Sequence, residues 1–234
     1  MKKQSVQNCV VLFDIDGTLV ASDRRRPAPG VVAMNAAAKL ITGLDGLSES
    51  VQFAGRTDRQ IARDLLFAGG NSSVSGTEID RLIAAYVETL ALVVDENPYR
   101  PIGNVRNAVG ALREAGCVIG LGTGNVLAGA RIKLNNAGIL DCFDLRLGGY
   151  GDDADTRDEV LRIGASRCDA SAEKTVVVIG DTTHDVGAAI AIGAICIAVT
   201  TGPCDESTLR NAGATSVVRG LDTDIVCLLD TCLC

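Results

Sequence analysis

Residues 11–19 read VLFDIDGTL, an apolar run that ends in two aspartates, a glycine and a threonine. The apolar run begins at residue 9, and Asp14 is the first polar residue after it. A short run without polar residues on either face is typical of a parallel strand buried between two layers of helices. Asp14 and Asp16 therefore follow directly on a predicted buried strand, at the sheet edge where ligands bind.

The same kind of apolar run recurs along the chain, and helical patterns lie between the runs. The further predicted strands are residues 117–121, 143–147, 175–179, 195–199 and 215–218. Gly116 and Gly138 stand where C′ glycines would end two of the intervening helices. This alternation predicts an α/β fold whose core is a doubly wound (Rossmann-like) parallel sheet.

Residues 21–97 interrupt the alternation, because they carry helical patterns and no convincing strand. Three features predict helices there: a proline start at 29–30, a candidate capping box at 57–60 and one apolar face over 79–90. We therefore expect an inserted small α-helical cap domain at 21–97. The α/β core domain is expected over 1–20 and 98–234.

The composition excludes some classes of partner. The 234 residues include 22 Lys and Arg against 29 Asp and Glu, a formal net charge of −7, so we expect neither nucleic acid nor membrane as a partner. The 9 cysteines contain no CxxC pair and are expected to be reduced. Because no signal peptide and no apolar stretch near about 20 residues occurs, we expect a cytoplasmic protein.

Polar groups follow three of the predicted strands. Asp14 follows the first, Thr123 and Gly124 the second, and Asp181 with Asp185 the third. The carboxyl ends of parallel strands share one edge of a sheet, so these groups should meet. Each alone is more often a helix cap or turn residue. Together they would repel one another unless a cation intervenes, and oxygen ligands favour Mg²⁺ over zinc.

The chain resembles the haloacid dehalogenase-like (HAD) hydrolases over nearly its whole length. Residues 11–19 resemble their first motif, hhhDxDGT, Thr123 the second, and residues 178–181 with Asp185 the fourth. The helical insertion, with residues 53–58, is similar to the cap of the phosphoglycolate phosphatase-like and β-phosphoglucomutase-like branch. The resemblance implies a Mg²⁺-dependent phosphatase for a small phosphorylated metabolite, phosphoglycolate-like or a sugar phosphate. We expect a monomer or homodimer.

The resemblance also implies the roles of the two aspartates in the first motif. Asp14 would be the nucleophile that forms an aspartyl-phosphate. Asp16 would protonate the leaving alcohol and then deprotonate the attacking water. Dehalogenases lack an aspartate at this position because a departing halide needs no proton. Asp16 therefore favours phosphate transfer over dehalogenation.

The remaining implied roles concern the metal and the phosphoryl group. Mg²⁺ would be held by Asp14, the backbone carbonyl of Asp16 and Asp181, with Asp185 as a further ligand or a partner of the metal's waters. Glycine permits a tight turn and a close backbone approach at position 17. The phosphoryl group would be bound by Gly17, Thr18, Thr123 and Gly124.

One departure from the family concerns a lysine that relatives usually carry upstream of the fourth motif. Residues 151–158 contain no lysine, and Arg157 stands at about the expected position. Its guanidinium could supply the cation, although a surface ion pair with Asp153 or Asp155 is the alternative. Lys133 is the competitor, but we expect it to lie too far along a helix from the strand ends.

Two further residues and three other functions stay open. Arg56 could reach the substrate when the cap closes, and a salt bridge within the cap explains it equally. His184, the sole histidine, is expected to open a helix rather than to act in catalysis. A phosphomutase of the β-phosphoglucomutase type would use the same intermediate. A signalling receiver-like phospho-acceptor and a non-catalytic binding protein fit less well.

Overall fold

The computed structural model describes residues 6–169 and 174–233 of the chain. Its strands are β1 (Cys9–Phe13), β2 (Val20–Ala21), β3 (Arg100–Pro101), β4 (Val118–Gly122), β5 (Gly148–Gly149), β6 (Thr175–Gly180), β7 (Ile195–Val199) and β8 (Ser216–Val218). Six parallel strands of this part of the chain form one sheet in the order β5-β4-β1-β6-β7-β8. Because β1 lies between β4 and β6, the residues that follow these three strands are neighbours.

The described helices follow in chain order. They are α1 (Pro29–Thr42), α2 (Asp58–Ala68), α3 (Gly76–Val93), α4 (Val105–Glu114), α5 (Leu127–Asn136), α6 (Arg157–Arg167), α7 (Thr183–Ala191), α8 (Glu206–Asn211) and α9 (Ile225–Cys232). Val11 and Phe13 of β1 pack into one hydrophobic core with α4, α5 and α9. Val10 and Leu12 pack into a second core with α6, α7 and α8. Since helices cover both faces of a parallel sheet, the predicted doubly wound α/β fold is confirmed.

Two of the helices between β1 and β4 begin where the sequence predicts. Pro29 is the first residue of α1, and the Thr57 side chain accepts the backbone N–H of Gln60 in a complete capping box before α2. The predicted apolar face of α3 is buried, from Ile79 to Leu90. Local signals are strong here because a proline start and a reciprocal cap act within one turn.

A small antiparallel pair that the sequence did not predict joins the two connections of this helical segment. Val20 pairs with Pro101 and Ala21 with Arg100, where the chain leaves the sheet and where it returns. The Asn97 amide then donates to the backbone oxygens of Asp23 and Pro27. The outgoing and returning connections are therefore hydrogen-bonded to each other.

The prediction of a strand at 143–147 is wrong, and the edge strand is the short β5 instead. The Asp144 carboxylate accepts the backbone N–H of Arg146, and the Asp144 carbonyl accepts that of Leu147. These bonds close a turn, which competes with an extended conformation. Phe143 is buried against Phe13, so its apolar character reflects burial in the core rather than a strand.

Several cysteines behave as small apolar core residues. Cys117 and Cys196 are buried, and burial raises the pKa of both thiols to about 12. The cysteines of residues 6–169 and 174–233 form no disulfide with one another, and Cys234 lies outside the described residues. Within those residues, none of the helices combines the length and the apolar character that crossing a membrane requires.

Candidate active site

Three buried carboxylates meet at the carboxyl edge of the sheet. Asp14 follows β1, Asp181 follows β6, and Asp185 lies in the first turn of α7. One carboxylate oxygen from each lies within 4.8 Å of the other two. The sheet order brings them together, since β1 and β6 are hydrogen-bonded neighbours. Their predicted convergence is therefore present in the structure.

Arg157 is the cation of this cluster. It begins α6, and its Nη2 lies 2.8 Å from Asp14 Oδ1 and 2.5 Å from Asp185 Oδ1. The predicted alternative, a surface ion pair, does not form, because Asp153 pairs with Arg167 and Asp155 with Arg63. Arg157 is instead buried beside the first-motif aspartate, where relatives of the family that the sequence resembles place a lysine.

The electrostatics of the cluster are dominated by burial and mutual repulsion. Burial raises the pKa of Asp14 to about 6, since the effect of Arg157 is outweighed by desolvation together with the charges of Asp185 and Asp16. Burial raises the pKa of Asp181 to about 9, and the charges of Asp185 and Asp14 add to the increase. Although burial opposes its charge, the neighbouring carboxylates raise the pKa of Arg157. The cluster carries more negative charge than one guanidinium neutralises.

The donor set fits a hard divalent cation. Carboxylate oxygens are the ligands that Mg²⁺ prefers, and a second positive charge would offset the repulsion that raises these pKa values. Asp14 and Asp181 fit a metal best. Both oxygens of Asp185 already have partners, Oδ1 with Arg157 and Oδ2 with the backbone N–H and hydroxyl of Thr182. Asp185 therefore fits the role of a group that orients Arg157 and α7.

Asp16 occupies a different environment from Asp14. Its side chain is 45 % exposed, against 10 % for Asp14, and it faces the cavity above the cluster. Lys133 Nζ lies 2.7 Å from Asp16 Oδ2, and the Lys133 side chain is only 6 % exposed. The site therefore contains two ion pairs of different exposure. Asp16 is partly exposed and pairs with the buried Lys133, whereas Asp14 and Arg157 are both buried.

The expectation that Lys133 lies too far from the strand ends is wrong. Helical side chains lean toward the helix N-terminus, and α5 starts soon after β4, so the long Lys133 side chain extends back to the sheet edge. Asp16 extends toward it, since it lies two residues beyond Asp14. Desolvation opposes its charge, yet Asp16 raises the pKa of Lys133 well above its ordinary value.

Asn125 connects Asp16 to the end of β4, and no role was predicted for it. Its Nδ2 donates to Asp16 Oδ2 and to Thr123 Oγ1, both at 2.8 Å. The Thr123 hydroxyl also accepts the Asn125 backbone N–H, and Thr123 is fully buried. Its role could have been predicted from its position in the Gly-Thr-Gly-Asn run after β4, because a polar side chain there lies at the same sheet edge.

Close backbone approach holds Asp181 in place. A Cβ at Gly17, where φ is +77°, would lie 2.3 Å from Asp181 Oδ2, and one at Gly202 would lie 1.6 Å from it. Thr18 donates its hydroxyl to Asp181 Oδ1 at 3.0 Å, and Thr201 donates its own to the Gly17 carbonyl. Gly17 and Thr18 therefore contact Asp181, and the loop after β7 is a part of the site that sequence reasoning missed.

A cavity of about 500 Å³ lies above the carboxylates, between the sheet edge and the α1–α3 segment. It is lined by Asp14, Asp16, Gly17, Gly124, Arg157 and Asp181 at the floor and by Lys133 and Arg56 higher up. Arg56 forms a 2.5 Å ion pair with Asp64, so the predicted salt bridge within the helical segment is present at the cavity wall. Thr123, Thr18 and Asp185 lie behind the floor and hold its residues.

The helical segment is attached to the sheet edge at Asp58. Its carboxylate accepts the Val126 N–H at 2.9 Å, and its own backbone N–H donates to the Gly124 carbonyl at 2.8 Å. Burial raises the pKa of Asp58 to about 6, against an opposing effect of Lys133. Nearby, a Cβ at Gly55 would lie 2.3 Å from His184 Cδ2. His184 thus packs against this segment from the first turn of α7.

The chain is similar in sequence to proteins of known family. A family model described as haloacid dehalogenase-like hydrolase matches residues 10–193. A protein of Dickeya dadantii (strain 3937), described as "Probable phosphatase IndB", is 30 % identical over 213 residues, which cover 87 % of this chain and 86 % of that protein. Residues 10–193, which the family model matches, include all the residues that line the floor of the cavity.

Solved structures share the whole fold. A β-phosphoglucomutase from Clostridium difficile has a TM-score of 0.70 at 16 % identity and covers 96 % of each chain. A predicted phosphoglycolate phosphatase from Haemophilus somnus 129pt has a TM-score of 0.69 at 17 % identity, covering 95 % of this chain and 98 % of that one. At these identities the likeness establishes the arrangement of the helices and strands.

Proposed function

Since this chain belongs to the haloacid dehalogenase-like hydrolase family, as its resemblance to that family predicts, we propose that it is a Mg²⁺-dependent phosphatase of a small phosphorylated metabolite. The observation that carries the proposal is that Asp14, Asp16, Arg157 and Asp181 line one cavity. The description of the Dickeya relative as a phosphatase points the same way. In this proposal residues 21–97 form the cap domain, and residues 1–20 with 98–234 form the core.

Asp14 is the nucleophile in the proposed first half-reaction. A carboxylate oxygen of Asp14 attacks phosphorus, a new P–O bond forms, and the bond from phosphorus to the leaving alcohol breaks. Burial and the ion pair with Arg157 hold this carboxylate in one position, which places the attacking oxygen without reorganisation. The product of this step is an aspartyl-phosphate on Asp14.

Asp16 transfers the protons in both halves. Its partly exposed carboxyl group faces the cavity, so it can give a proton to the departing alcohol oxygen. In the second half it takes a proton from the water that attacks the aspartyl-phosphate, which releases inorganic phosphate and restores Asp14. Lys133 and Asn125 bind the same oxygen of Asp16 and fix its orientation.

The phosphoryl oxygens are bound by groups around the nucleophile. Arg157 supplies charge, and its buried Nε has no hydrogen-bond partner among the described residues, which leaves a donor for an anion. Gly124 admits a close approach of the Arg56 backbone and of Arg157, since a Cβ there would lie 2.3 Å from the Arg56 carbonyl oxygen and 3.0 Å from Arg157 Nη1. The backbone at Gly17 also lines the cavity and is a further proposed phosphoryl contact. Thr18 and Thr123, which the family resemblance also implies, are fully buried behind the floor and would act by holding Asp181 and Asn125 in place.

Mg²⁺ would be held by Asp14, Asp181 and the backbone carbonyl of Asp16. When bound, it would neutralise charge on the phosphoryl group and on the carboxylate cluster. Asp185 keeps Arg157 beside Asp14, and Thr18 keeps Asp181 oriented by donating to its Oδ1. An anionic substrate therefore requires the metal for binding as well as for chemistry.

The test is phosphate release from a panel of phosphomonoesters with Mg²⁺ or with excess chelator. We expect release only with Mg²⁺, a loss of at least about 10³-fold in kcat for Asp14→Asn, and a loss of about 10² to 10³-fold for Asp16→Asn. Asp45→Asn is the control, because Asp45 is an exposed acid paired with Lys39 far from the cavity. Full activity of Asp14→Asn, or release that is independent of metal, would refute the proposal, and an isomerised sugar phosphate as product would indicate a mutase.

A further inference from the structure

The upper cavity is walled by apolar side chains from every helix of the cap. Val31 and Met34 come from α1, Ile61 from α2 and Tyr86 from α3. Phe53 precedes α2, and Tyr99 lies in the returning connection. Four of these residues, Met34, Ile61, Tyr86 and Tyr99, are almost fully buried. The apolar surface that reaches the cavity therefore comes mainly from the partly exposed Val31 and Phe53, with the edges of the buried side chains behind them.

The charged groups of the upper cavity already have protein partners. Among the described residues that line it, these pairs are Arg24 with the Thr201 carbonyl, Arg26 with the Glu96 carbonyl, Arg56 with Asp64, Asp58 with the Val126 N–H and Lys133 with Asp16. The Tyr99 hydroxyl accepts the Gly30 N–H. Ser22 adds one hydroxyl from the outgoing connection. These bonds use only part of the donors of the three arginines, and Asn125 Oδ1 has no partner among the described residues, so polar contacts stay available on that side of the cavity. The side formed by Val31, Met34 and Phe53 offers a leaving group no side-chain hydrogen bond.

We propose that the substrate is the phosphate monoester of an alcohol with a largely hydrocarbon skeleton, alkyl or aromatic. This inference rests on the proposed phosphatase function and specifies its substrate. The phosphate lies at the floor beside Asp14 and Arg157, and the hydrocarbon part packs against Val31, Met34 and Phe53. Hydrolysis gives the free alcohol and inorganic phosphate, with one water consumed.

The dimensions and chemistry of the wall argue against the substrates implied by the family resemblance. A two-carbon acid such as glycolate would fill a small part of a cavity of about 500 Å³. A sugar would bury several hydroxyl groups against carbon atoms, and a buried hydroxyl without a hydrogen bond is strongly unfavourable. A hydrocarbon group removes apolar surface from water on both sides of the contact.

A series of primary alkyl phosphates tests this directly, because their leaving groups differ little in reactivity. We expect kcat/KM to rise at least about tenfold from ethyl to hexyl phosphate, since each buried methylene contributes roughly fourfold. Hexyl phosphate should also exceed 2-phosphoglycolate and glucose 6-phosphate by at least about tenfold. A flat alkyl series, or a polar substrate that matches hexyl phosphate, would overturn the proposal.

Two adjacent valines provide a matched pair of variants. Val31 lines the cavity, whereas Val32 is 38 % exposed and does not line it. Val31→Thr should lower the ratio of hexyl to ethyl kcat/KM about threefold or more, and Val32→Thr should leave it within about 1.5-fold of wild type. Met34→Gln should lower the ratio about tenfold, and thermal unfolding shows whether this buried variant folds. Equal ratios in Val31→Thr and Val32→Thr would contradict the assigned wall.

Binding measurements separate this proposal from the proposed function. Hexylphosphonate cannot be hydrolysed at its P–C bond, and its affinity in the presence of Mg²⁺ can be measured by calorimetry. We expect it to bind at least about tenfold more tightly than ethylphosphonate. If no ester is hydrolysed but this difference is found, the phosphatase function fails and the apolar site stands. If esters are hydrolysed but the two phosphonates bind equally, the apolar site fails alone.

Discussion

The two buried cations of the site hold two aspartates in opposite ways. Arg157 lies between Asp14 and Asp185, and all three side chains are at most 10 % exposed. Lys133 is equally buried, but its partner Asp16 is nearly half exposed. Arg157 therefore compensates charge that water cannot reach, whereas Lys133 orients a carboxylate that water also solvates. Removing the first should damage the fold and the chemistry, and removing the second mainly the chemistry.

The pairing also suits the different tasks proposed for the two aspartates. A nucleophile needs one fixed position, and the planar guanidinium of Arg157 fixes Asp14 and Asp185 with a single nitrogen. A group that gives and takes protons needs contact with water and with the leaving oxygen. The exposed side of Asp16 provides that contact while Lys133 and Asn125 hold its Oδ2.

Among the variants that compare the two cations, Arg157→Met is expected to have the largest effect. It leaves Asp14 and Asp185 without their cation, so the free energy of unfolding should fall by about 3–5 kcal/mol, and kcat/KM by at least about 10²-fold. Thermal unfolding and phosphate release measure the two losses. Arg157→Lys should recover part of both the activity and the stability. It restores the positive charge but not the planar shape of the guanidinium.

Arg162→Met is the matched control for Arg157→Met. Arg162 also lies in α6, but it is exposed and pairs with Asp158 one turn away. Such a pair contributes about 0.3–0.5 kcal/mol, so activity and stability should stay close to those of wild type. If Arg157→Met kept more than a third of wild-type activity, Arg157 could not be the cation of the reaction.

Lys133→Met is expected to separate activity from stability. It should lower kcat about tenfold, because Asp16 loses the partner that orients it, and change the free energy of unfolding by no more than about 1 kcal/mol. Met can pack against the ring of Tyr99, which lies 5.6 Å from Lys133 Nζ, and the exposed side of Asp16 remains hydrated. Lys39→Met, at an exposed pair with Asp45, is the control. A stability loss as large as that of Arg157→Met would remove the distinction between the two cations.

The sequence predicted one cation and misjudged the other for a physical reason. Arg157 follows a loop and begins a helix at the sheet edge, so its position along the chain fixes where its side chain lies. The location of Lys133 depends on the direction of a long side chain and on where α5 sits, and neither is encoded in spacing. The aspartates Asp14 and Asp181 were predictable because they directly follow buried strands.

Other residues of the site could not be predicted from the sequence, because tertiary contacts determine where they lie. Asp58 is an ordinary first-turn acid in sequence, and only packing against the start of α5 buries it. Thr201 and Gly202 meet the site because β7 lies beside β6 in the sheet. At residues 143–147 the apolar run correctly predicted burial of Phe143, but the strand predicted there is a turn.

Asn125→Leu tests the link between the two halves of the site and should have a smaller effect. The variant keeps the size of the side chain and removes the donors to Asp16 and Thr123. We expect kcat to fall about three- to fivefold, and the Asn125→Leu/Lys133→Met double variant to lose less than the product of the single losses, because both residues hold the same Asp16 oxygen. Multiplicative losses in kinetic assays would show that the two contacts act independently.

The smallest effect on activity is expected for Asp58→Asn, whose signature is the pH dependence of stability. The pKa of Asp58 is raised to about 6 from its ordinary 3.8, so the folded protein holds a proton that the unfolded chain releases between these values. Stability therefore falls as pH rises through this window, by up to about 3 kcal/mol for a shift of this size. Asparagine still accepts the Val126 N–H but cannot ionise, so the variant should lack this component, with activity at pH 7 within about twofold of wild type.

Lys133 makes this last measurement a comparison of the two cations. Its charge lowers the pKa of Asp58, whereas Arg157 is not among the main influences on that carboxyl group. The difference between wild type and Asp58→Asn in chemical unfolding from pH 4 to pH 7 should therefore grow when Lys133→Met is added to both. The exposed pair of Arg59 and Asp80 supplies the control, Asp80→Asn, which should leave the difference unchanged. If the stability difference between wild type and Asp58→Asn were the same with and without Lys133→Met, the charge of Lys133 would not affect Asp58. Lys133 would then interact with Asp16 only and would not couple Asp58 of the cap to Asp16.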